Sequence, residues 1–315
     1  MYVTRKEQWQ NAFFSQQRHT LTETVTWVGN GVHSGEMIKL KVSPYHPKEQ
    51  EVLGVIINGQ PLATWQITHS SWKTQLIHPQ AGAISMTEHL FAALYVAGID
   101  DVSIECIGGE EWPILDGSAK EYLAPLIPTP TIQKRKSHPQ GSLKRSFLYL
   151  PKMEQRYKES HIISQPIGHS IGTAIGDRTY SSSKEYPYFD DLYLKISLTL
   201  DLPPLQKQHV QVKIFDHLIS QVINAKTFGF LKDADTLKDL GLIKGVSPTN
   251  TLVYDEHGRS LSIESIDHEA ANHKVLDILG DLYLLGKRVI GHLEVQRGSH
   301  LLNQLFVKSL KEKCG

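Results

Sequence analysis

The amino-acid sequence predicts an α+β fold in two domains. Strand-like and helical stretches are mixed along the chain, without the regular strand–helix alternation of a parallel α/β sheet. Residues 127–145 are rich in proline and basic residues and have almost no apolar periodicity, which is typical of a linker. We therefore expect an N-terminal extension at 1–20, a first domain at 21–128, a linker at 129–145 and a second domain at 146–315.

The first half of the chain contains stretches of both kinds. Strand character, with β-branched and apolar residues in short runs, occurs at 24–28, 38–43, 51–57 and 101–107. Helical character occurs at 86–98, "MTEHLFAALYVAG", and at 118–127, "SAKEYLAPLI". These elements make up the α+β domain expected before the linker.

The second half repeats this mixture. Strands are expected at 192–202 and 251–254, and helices at 213–225, 232–240, 272–285 and 301–312. Residues 155–190 show no clear period, so we expect them to hold loops.

The composition argues against several classes of protein. Lysine plus arginine and aspartate plus glutamate each number 33 among 315 residues, so no basic field indicates nucleic-acid binding. Cys106 and Cys314 form neither a metal-ligand pattern nor a disulfide framework, which fits a reducing compartment. The sequence has no apolar run of eighteen residues, and its first twenty residues lack a signal-peptide core. We expect a cytoplasmic monomer.

One apolar helix carries charge along a single stripe. At about 100° per residue, His273, Asp277 and Asp281 lie on one narrow face of the helix predicted at 272–285. Aliphatic residues flank that face, so the carboxylates should be buried, which is costly unless they are paired or bind a metal. The alternative is an amphipathic helix with a solvated polar edge.

A second constellation, "SMTEH" at 85–89, begins the first helix. Ser85 and Glu88 have the spacing of a capping box, so Glu88 taken alone reads as a helix cap. His89 taken alone reads as a hydrogen-bonded structural histidine. Together, however, an adjacent glutamate and histidine suit a centre in which one side chain binds a metal and the other holds an attacking water.

Several motifs in order resemble one family. These are 29–35 "GNGVHSG", 86–105 "MTEHLFAALYVAGIDDVSIE", 113–119 "PILDGSA", 225–230 "AKTFGF", 241–247 "GLIKGVS", 272–286 "NHKVLDILGDLYLLG" and 298–304 "GSHLLNQ". They resemble the zinc-dependent UDP-3-O-acyl-N-acetylglucosamine deacetylases of lipid A biosynthesis. The resemblance implies two similar β-α-α-β two-layer domains, packed through their helical layers with the site between them. It also implies a UDP-linked acylated amino sugar as substrate and an acyl-binding insert around 231–253.

The resemblance also implies residue roles. His89, His273 and Asp277 would bind Zn²⁺, and two imidazoles with one carboxylate also suit iron(II). Glu88 would be the general base for the attacking water, and His300 the general acid for the departing amine. For His300, the alternative is a surface histidine in a turn.

Six further positions match functional positions of the family. Asp281 would hydrogen-bond the general acid and keep it cationic, and Thr227 would help to stabilise the oxyanion. For Thr227, a packing residue in or at the end of a helix is an equal alternative. The expected substrate contacts are Lys274 and Arg297 at the diphosphate, Phe228 packed on the substrate, and His33 near it.

Two other functions stay open at this point. A paralogue could deacetylate another nucleotide-linked amino sugar, because the segments that would shape the acyl site depart most from the family pattern. A non-enzymatic metal-binding relative is the third reading, but the complete set of candidate catalytic residues argues against it.

Overall fold

The computed structural model describes residue 15 and residues 17–48, 50–68, 72–127, 131–132, 144–166, 193–214 and 219–314. The strands and helices are mixed along these residues, and most neighbouring strands are antiparallel, as the predicted α+β class requires. Most of the predicted N-terminal extension, most of the predicted linker, and residues 167–190 of the predicted loop region lie outside the described part of the chain.

The first half contains ten strands and two α-helices among the described residues. The strands are β1 (His19–Thr20), β2 (Val25–Asn30), β3 (Met37–Pro44), β4 (Val55–Ile57), β5 (Gln60–Pro61), β6 (Gln66–Thr68), β7 (Gln75–His78), β8 (Gly82–Ser85), β9 (Val102–Ile107) and β10 (Thr131–Ile132). The helices are α1 (Glu88–Ala97) and α2 (Lys120–Leu126), with a 3-10 turn at Leu62–Thr64. The two helices and the strands predicted at 24–28, 38–43 and 101–107 are confirmed, whereas the strand expected at 51–57 is observed only at Val55–Ile57.

The second half, over its described residues, contains eight strands and four α-helices. The strands are β11 (Phe147–Tyr149), β12 (Met153–Tyr157), β13 (Ser160–Gln165), β14 (Leu194–Leu200), β15 (Gln208–Lys213), β16 (Phe228–Phe230), β17 (Leu252–Tyr254) and β18 (Arg288–Gln296). The helices are α3 (Ile219–Asn224), α4 (Ala234–Asp239), α5 (Glu269–Tyr283) and α6 (His300–Cys314), with a 3-10 turn at Leu231–Asp233.

Two of the second-half predictions are wrong in part. The helix expected at 213–225 is observed at Ile219–Asn224, whereas Lys213 is the last residue of β15 and pairs with Lys195. Residues 215–218 lie outside the described part of the chain. Residues 155–165 were expected to form loops, but they belong to β12 and β13, which pair as an antiparallel hairpin. The polar character of this hairpin hides its alternation, since only β13 buries alternate residues.

Two larger sheets and one small sheet carry the helices. One sheet has the order β2-β3-β9-β4-β5, and the other has the order β12-β13-β18-β14-β15 with β11 beside β18. A three-stranded antiparallel sheet, β6-β7-β8, leads directly into α1. Helix α2 packs on the first sheet through the rings of Trp27 and Tyr122, which lie 5.2 Å apart, and α5 and α6 contact the second sheet.

Helices α1 and α5 form the centre of the structure. All ten residues of α1 are buried, and only Lys274 of α5 is not, so the alternative of a solvated polar edge on α5 is wrong. The two helices pack directly against each other, with the rings of Phe91 and Tyr283 5.2 Å apart. None of the helices in the described segments is long and apolar enough to cross a bilayer.

A buried ionic cluster ties distant segments together beside α1. Arg18 donates three hydrogen bonds to the Asp101 carboxylate, and Arg145 binds the Asp100 carboxylate with a shortest separation of 2.6 Å. Arg288, at the start of β18, reaches the same Asp100 at 3.5 Å. Burial alone would raise the pKa of Asp100, but Arg145 and Arg288 outweigh it and hold the pKa at about 2. The cluster therefore joins the ends of β1, β9, β11 and β18 by charges that remain paired at neutral pH.

A candidate metal centre between two buried helices

The start of α1 and the middle of α5 bring three predicted ligands together. Single ligand atoms of His89, His273 and Asp277 all lie within 4.8 Å of one another. The two imidazole rings are 5.1 Å apart between centroids, and His273 Nε2 lies 3.4 Å from Asp277 Oδ1. The i, i+4 spacing on one helix brings His273 close to Asp277. The packing of α1 against α5 brings His89 next to this pair.

Each imidazole points one nitrogen away from the cluster towards a backbone carbonyl. His273 Nδ1 lies 3.0 Å from the oxygen of Ala225, and His89 Nδ1 lies 3.4 Å from the oxygen of Ser118. A proton on each Nδ1 satisfies these contacts and leaves each Nε2 lone pair for a metal. Burial lowers the pKa of both histidines, that of His89 to about 4, so both are neutral near pH 7.

Asp277 is the negatively charged member of the three predicted ligands. Burial would raise its pKa, but Lys274, followed by the neighbouring histidines, holds the pKa well below the usual range. Lys274 Nζ donates to Asp277 Oδ2 at 2.9 Å, whereas Oδ1 is buried and has no hydrogen-bond partner in the described structure. A buried anionic oxygen without a partner is costly. This atom, together with the two imidazole nitrogens, therefore fits a divalent cation.

Glu88 lies beside these ligands and is not a helix cap. Thr87 at the N-cap makes no side-chain capping bond, and the hydroxyl of Ser85 donates instead to the oxygen of Glu110. The Glu88 side chain is 1% exposed, and neither carboxylate oxygen has a hydrogen-bond partner within the described residues. Burial, and then the charges of Asp277 and Asp281, raise the pKa of Glu88 well above its usual value. Glu88 is therefore a buried carboxyl group whose surroundings favour its neutral form more than water does.

His300 lies on the other side of Glu88 and is buried, so the alternative of a surface histidine is wrong. Its Nδ1 is 3.8 Å from Glu88 Oε1, and its Nε2 is 3.7 Å from Asp277 Oδ2. Burial lowers the pKa of His300 to about 4, and Lys274, His89 and His33 act in the same direction. These effects do not favour the cationic form of His300, so its role as a general acid stays a prediction.

The expected hydrogen bond between Asp281 and His300 is also absent from the described contacts. Asp281 instead accepts hydrogen bonds from the Thr74 hydroxyl at 2.6 Å and from the Asn303 amide at 3.0 Å. Asn303 lies three residues after His300 and shares a face of α6 with it, which explains the exchange of partners. Because these donors are neutral, burial dominates and raises the pKa of Asp281 to about 7.

The predicted substrate-contacting residues divide into two groups. Lys274 and Phe228 lie at the centre: Lys274 Nζ is 5.3 Å from the centroid of the Phe228 ring, and that ring is 6.3 Å from the His273 ring. The guanidinium of Arg297 is instead paired with Glu159 and with Asp201. It sits at the end of β18, in a left-handed conformation with φ 51°.

The backbone groups of Thr227 and His33 are hydrogen-bonded to other segments of the protein. Thr227 lies between α3 and β16, so it is not a residue of a helix; its N–H donates to Gly117 and its carbonyl accepts from Leu252, both at 2.8 Å. His33 is buried with both ring nitrogens unpartnered among the described groups, and its charge would act on His300. The N–H groups of His33 and Ser34 donate to the carboxylate of Glu111.

Three residues that support the candidate site were not identified from the sequence: Thr74, Glu111 and Asn303. Asn303 could have been found from its i+3 spacing to His300, and Glu111 from its place just before "PILDGSA". Thr74 carries no local signal, since it reaches Asp281 only through the three-stranded sheet that precedes α1.

Two imidazoles and a carboxylate, with a second carboxylate unpaired beside them, are the side chains that metal-dependent hydrolases use. The fold and the site thus define an α+β protein with a candidate metal centre between two buried helices. The family model described as LpxC: UDP-3-O-acyl N-acetylglycosamine deacetylase matches residues 18–312, and the chain belongs to this family. The resemblance inferred from the motifs is confirmed.

Relatives from several bacteria are similar over nearly their whole length. The chain is 28% identical to one from Syntrophus aciditrophicus over 307 residues, which cover 94% of this chain and 86% of the relative. It is 32% identical to one from Helicobacter pylori over 301 residues, covering 92% and 90%. It is 30% identical to one from Campylobacter jejuni over 303 residues, covering 93% and 92%. Each of these relatives is named UDP-3-O-acyl-N-acetylglucosamine deacetylase.

Replacing Asp281 by asparagine should change how stability depends on pH. The pKa of Asp281 is about 7 in the folded protein, above its usual value of 3.8, so the folded state is penalised as the group ionises. Below about pH 4 this penalty is absent, and it grows to the order of 4 kcal/mol by pH 7. Relative to wild type, Asp281→Asn should therefore gain unfolding free energy as the pH rises from 4 to 7.

The measurement is urea unfolding of chelator-treated protein at several pH values. Glu105→Gln is the control, because Glu105 is exposed and paired only with an exposed lysine. A stability difference between Asp281→Asn and wild type that is constant from pH 4 to 7 would show that Asp281 ionises as freely as an exposed carboxyl group.

Proposed function

We propose that the protein is a metal-dependent amide hydrolase that removes the N-acetyl group from UDP-3-O-acyl-N-acetylglucosamine in lipid A biosynthesis. The observation that carries this proposal is the buried cluster of His89, His273 and Asp277, with the unpaired carboxylate of Glu88 beside it. The membership of the chain in the deacetylase family supports the substrate. We expect a cytoplasmic monomer, as the sequence suggested.

His89, His273 and Asp277 are the proposed metal ligands, and zinc is the proposed metal, with iron(II) also suited to this donor set. A bound divalent cation would polarise the amide carbonyl and make a water molecule acidic enough to attack near neutral pH. Asp277 provides the charge that such a cation needs, because it stays ionised even though it is buried.

Glu88 is the proposed general base. It must be ionised to take a proton from water, and positive charge at the neighbouring ligands favours the ionised form. Once protonated, Glu88 is stabilised by its apolar surroundings, since burial raises its pKa. The group therefore accepts the proton of the attacking water and holds it in a site from which other water is excluded.

The departing amine needs that proton. His300 is the proposed donor, and Glu88 Oε1 lies 3.8 Å from His300 Nδ1, within a short movement of a hydrogen bond. Because burial disfavours the cationic form of His300, the ring must first gain a proton. The proton would come from Glu88, or from solvent once the negative charge of the substrate's diphosphate raises the pKa of His300. Direct donation from Glu88 to the amine is the shorter alternative route.

The remaining candidate residues would hold the substrate. Lys274 and Arg297 would bind the diphosphate, although Arg297 would have to exchange Glu159 and Asp201 for it. Phe228 would pack against the sugar, Thr227 would donate its hydroxyl to the developing oxyanion, and His33 would face the substrate.

The architecture proposed for this chemistry is two β-α-α-β units, at 21–128 and 146–315, facing each other through their helices. The packing of α1 on α5 supports it. The insert around 231–253 is the proposed acyl-binding segment. It carries the exposed apolar side chains of Leu231 and Leu240, and its Lys244 N–H donates to the carbonyl of His33.

Deacetylation of acylated and unacylated UDP-N-acetylglucosamine, measured side by side, tests the function. We expect release of acetate from the 3-O-acylated substrate and at least ~10²-fold lower kcat/KM without the acyl chain, because its apolar surface would contribute several kcal/mol of binding. Equal kcat/KM for the two substrates would favour a paralogue for another amino sugar. No acetate release from either, by protein that contains metal, would contradict the proposal.

Substitutions at Glu88 and His89 should separate proton transfer from metal binding. Glu88→Gln keeps the shape of the side chain and should retain metal, while turnover falls by about 10²- to 10⁴-fold. His89→Ala removes a proposed ligand and should lose metal, measured by elemental analysis of dialysed protein, together with activity. The exposed Glu105 supplies a control variant, Glu105→Gln, that should alter neither quantity. Loss of metal from Glu88→Gln would instead assign Glu88 to the ligand set.

A further inference from the structure

Glu269 is a buried carboxylate that neither the sequence analysis nor the chemistry above uses. It is the first residue of α5 and is fully buried. Its Oε1 accepts the N–H of Lys226 at 3.0 Å, and its Oε2 accepts the N–H of Ser265 at 2.9 Å. Both partners lie outside α5, so the carboxylate fastens two chain segments to the helix that carries His273.

The first of these bonds ends on a peptide group that also contacts a proposed metal ligand. The N–H of Lys226 and the C=O of Ala225 belong to one planar amide. That carbonyl oxygen lies 3.0 Å from His273 Nδ1. Carboxylate, amide and imidazole therefore form a continuous hydrogen-bonded chain. Because Glu269 and His273 are four residues apart on α5, one helical turn fixes both ends of this chain.

The other proposed imidazole ligand lacks such a chain. His89 Nδ1 faces the carbonyl of Ser118 at a longer distance, 3.4 Å. The N–H of the same peptide group, that of Ala119, donates to the backbone carbonyl of Ile223. A neutral carbonyl polarises an amide less than a carboxylate does. The carbonyl that faces His273 is therefore a stronger hydrogen-bond acceptor than the carbonyl that faces His89.

We propose that Glu269 is a positioning residue that acts on His273 through the Ala225–Lys226 peptide group. Its negative charge polarises the amide and makes the Ala225 oxygen a stronger acceptor. This acceptor fixes the proton of His273 on Nδ1, sets the orientation of the ring and increases the donor strength of Nε2 towards a divalent metal. Direct carboxylate–histidine pairs at metal sites work in the same way, and removing such a partner typically weakens metal binding about 10- to 100-fold. The inference rests on the proposed metal centre.

The test compares the zinc affinity of wild type, Glu269→Gln and Asp255→Asn by competition with a chromophoric chelator. Glutamine keeps the volume of Glu269 but loses its charge, and only its oxygen can accept an N–H. Asp255 is the matched control, because its carboxylate also accepts two backbone N–H groups, those of His257 and Arg259, and is not part of the proposed centre. The thermal stability of each metal-free variant is measured alongside.

We expect the zinc dissociation constant of Glu269→Gln to rise about 10- to 100-fold, and that of Asp255→Asn to stay within about twofold of wild type. Equal weakening in both variants would mean that any loosened loop lowers affinity, and would overturn the proposal. So would wild-type affinity in a folded Glu269→Gln. If wild type itself binds no zinc, it is the proposed metal centre that fails.

A measurement on the unaltered protein covers the case in which Glu269→Gln does not fold. Long-range ¹H–¹⁵N spectra of the zinc-loaded wild type report which ring nitrogen of His273 carries the proton, and the amide proton of Lys226 reports the bond to Glu269. We expect a proton on Nδ1 and a downfield-shifted Lys226 amide. A proton on Nε2, or an ordinary amide shift, would overturn the proposal.

Discussion

The closeness of α1 and α5 at Gly280 is the constraint on which the candidate site depends. A Cβ atom built on Gly280 would lie 2.1 Å from the backbone oxygen of Glu88, well inside the 3.0 Å that real Cβ atoms respect. Gly280 lies on the same face of α5 as His273 and Asp277. Because Gly280 has no side chain, the first turn of α1 can lie close to the proposed ligands of α5. The atoms of α1 that approach Gly280 are backbone atoms of Glu88, which cannot rotate away as a side chain could.

This close packing also explains the uneven electrostatics of the site. Glu88, Asp277 and Asp281 are all buried within the same helix pair, yet their neighbours differ. Asp277 has Lys274 and stays ionised, whereas Asp281 has only neutral donors and Glu88 has no hydrogen-bond partner in the described chain, so both have raised pKa values. Three similar groups thus suit three different proposed roles, Asp277 as a metal ligand, Asp281 as a buried hydrogen-bond acceptor and Glu88 as a proton acceptor, because each one faces different neighbours.

Much of the site could be predicted because its information is local. The stripe of His273, Asp277 and Asp281 follows from helical period alone, and the pairing of Glu88 with His89 follows from their adjacency. What failed was the partner of Asp281. Thr74 and Asn303 come from a sheet and a helix whose docking no short sequence pattern reports. The same holds for Glu269, whose effect on His273 passes through a peptide group of another segment.

The fold shows the same division. Both helices that carry the site were predicted from their apolar residues, whereas the mostly buried strand β18 was not predicted. The hairpin at 153–165 was missed because its strands are mostly polar. Its strand β13 pairs with β18, and this pairing stabilises an extended conformation that the sequence of the hairpin does not indicate by itself. The ionic cluster around Asp100 was also invisible, since Arg18, Arg145 and Arg288 converge on it from distant parts of the chain.

The zinc affinity of Gly280→Ala shows whether the close packing of α1 and α5 at Gly280 holds the proposed ligands together. The added methyl group must push the Glu88 backbone from 2.1 Å to at least 3.0 Å, which separates His89 from His273 and Asp277. Gly286→Ala is the control: it is strained by its φ of +64° but has open space around it and lies beyond the site. The account predicts at least ~10-fold weaker zinc binding for Gly280→Ala and unchanged binding for Gly286→Ala. Wild-type affinity in a folded Gly280→Ala would contradict it.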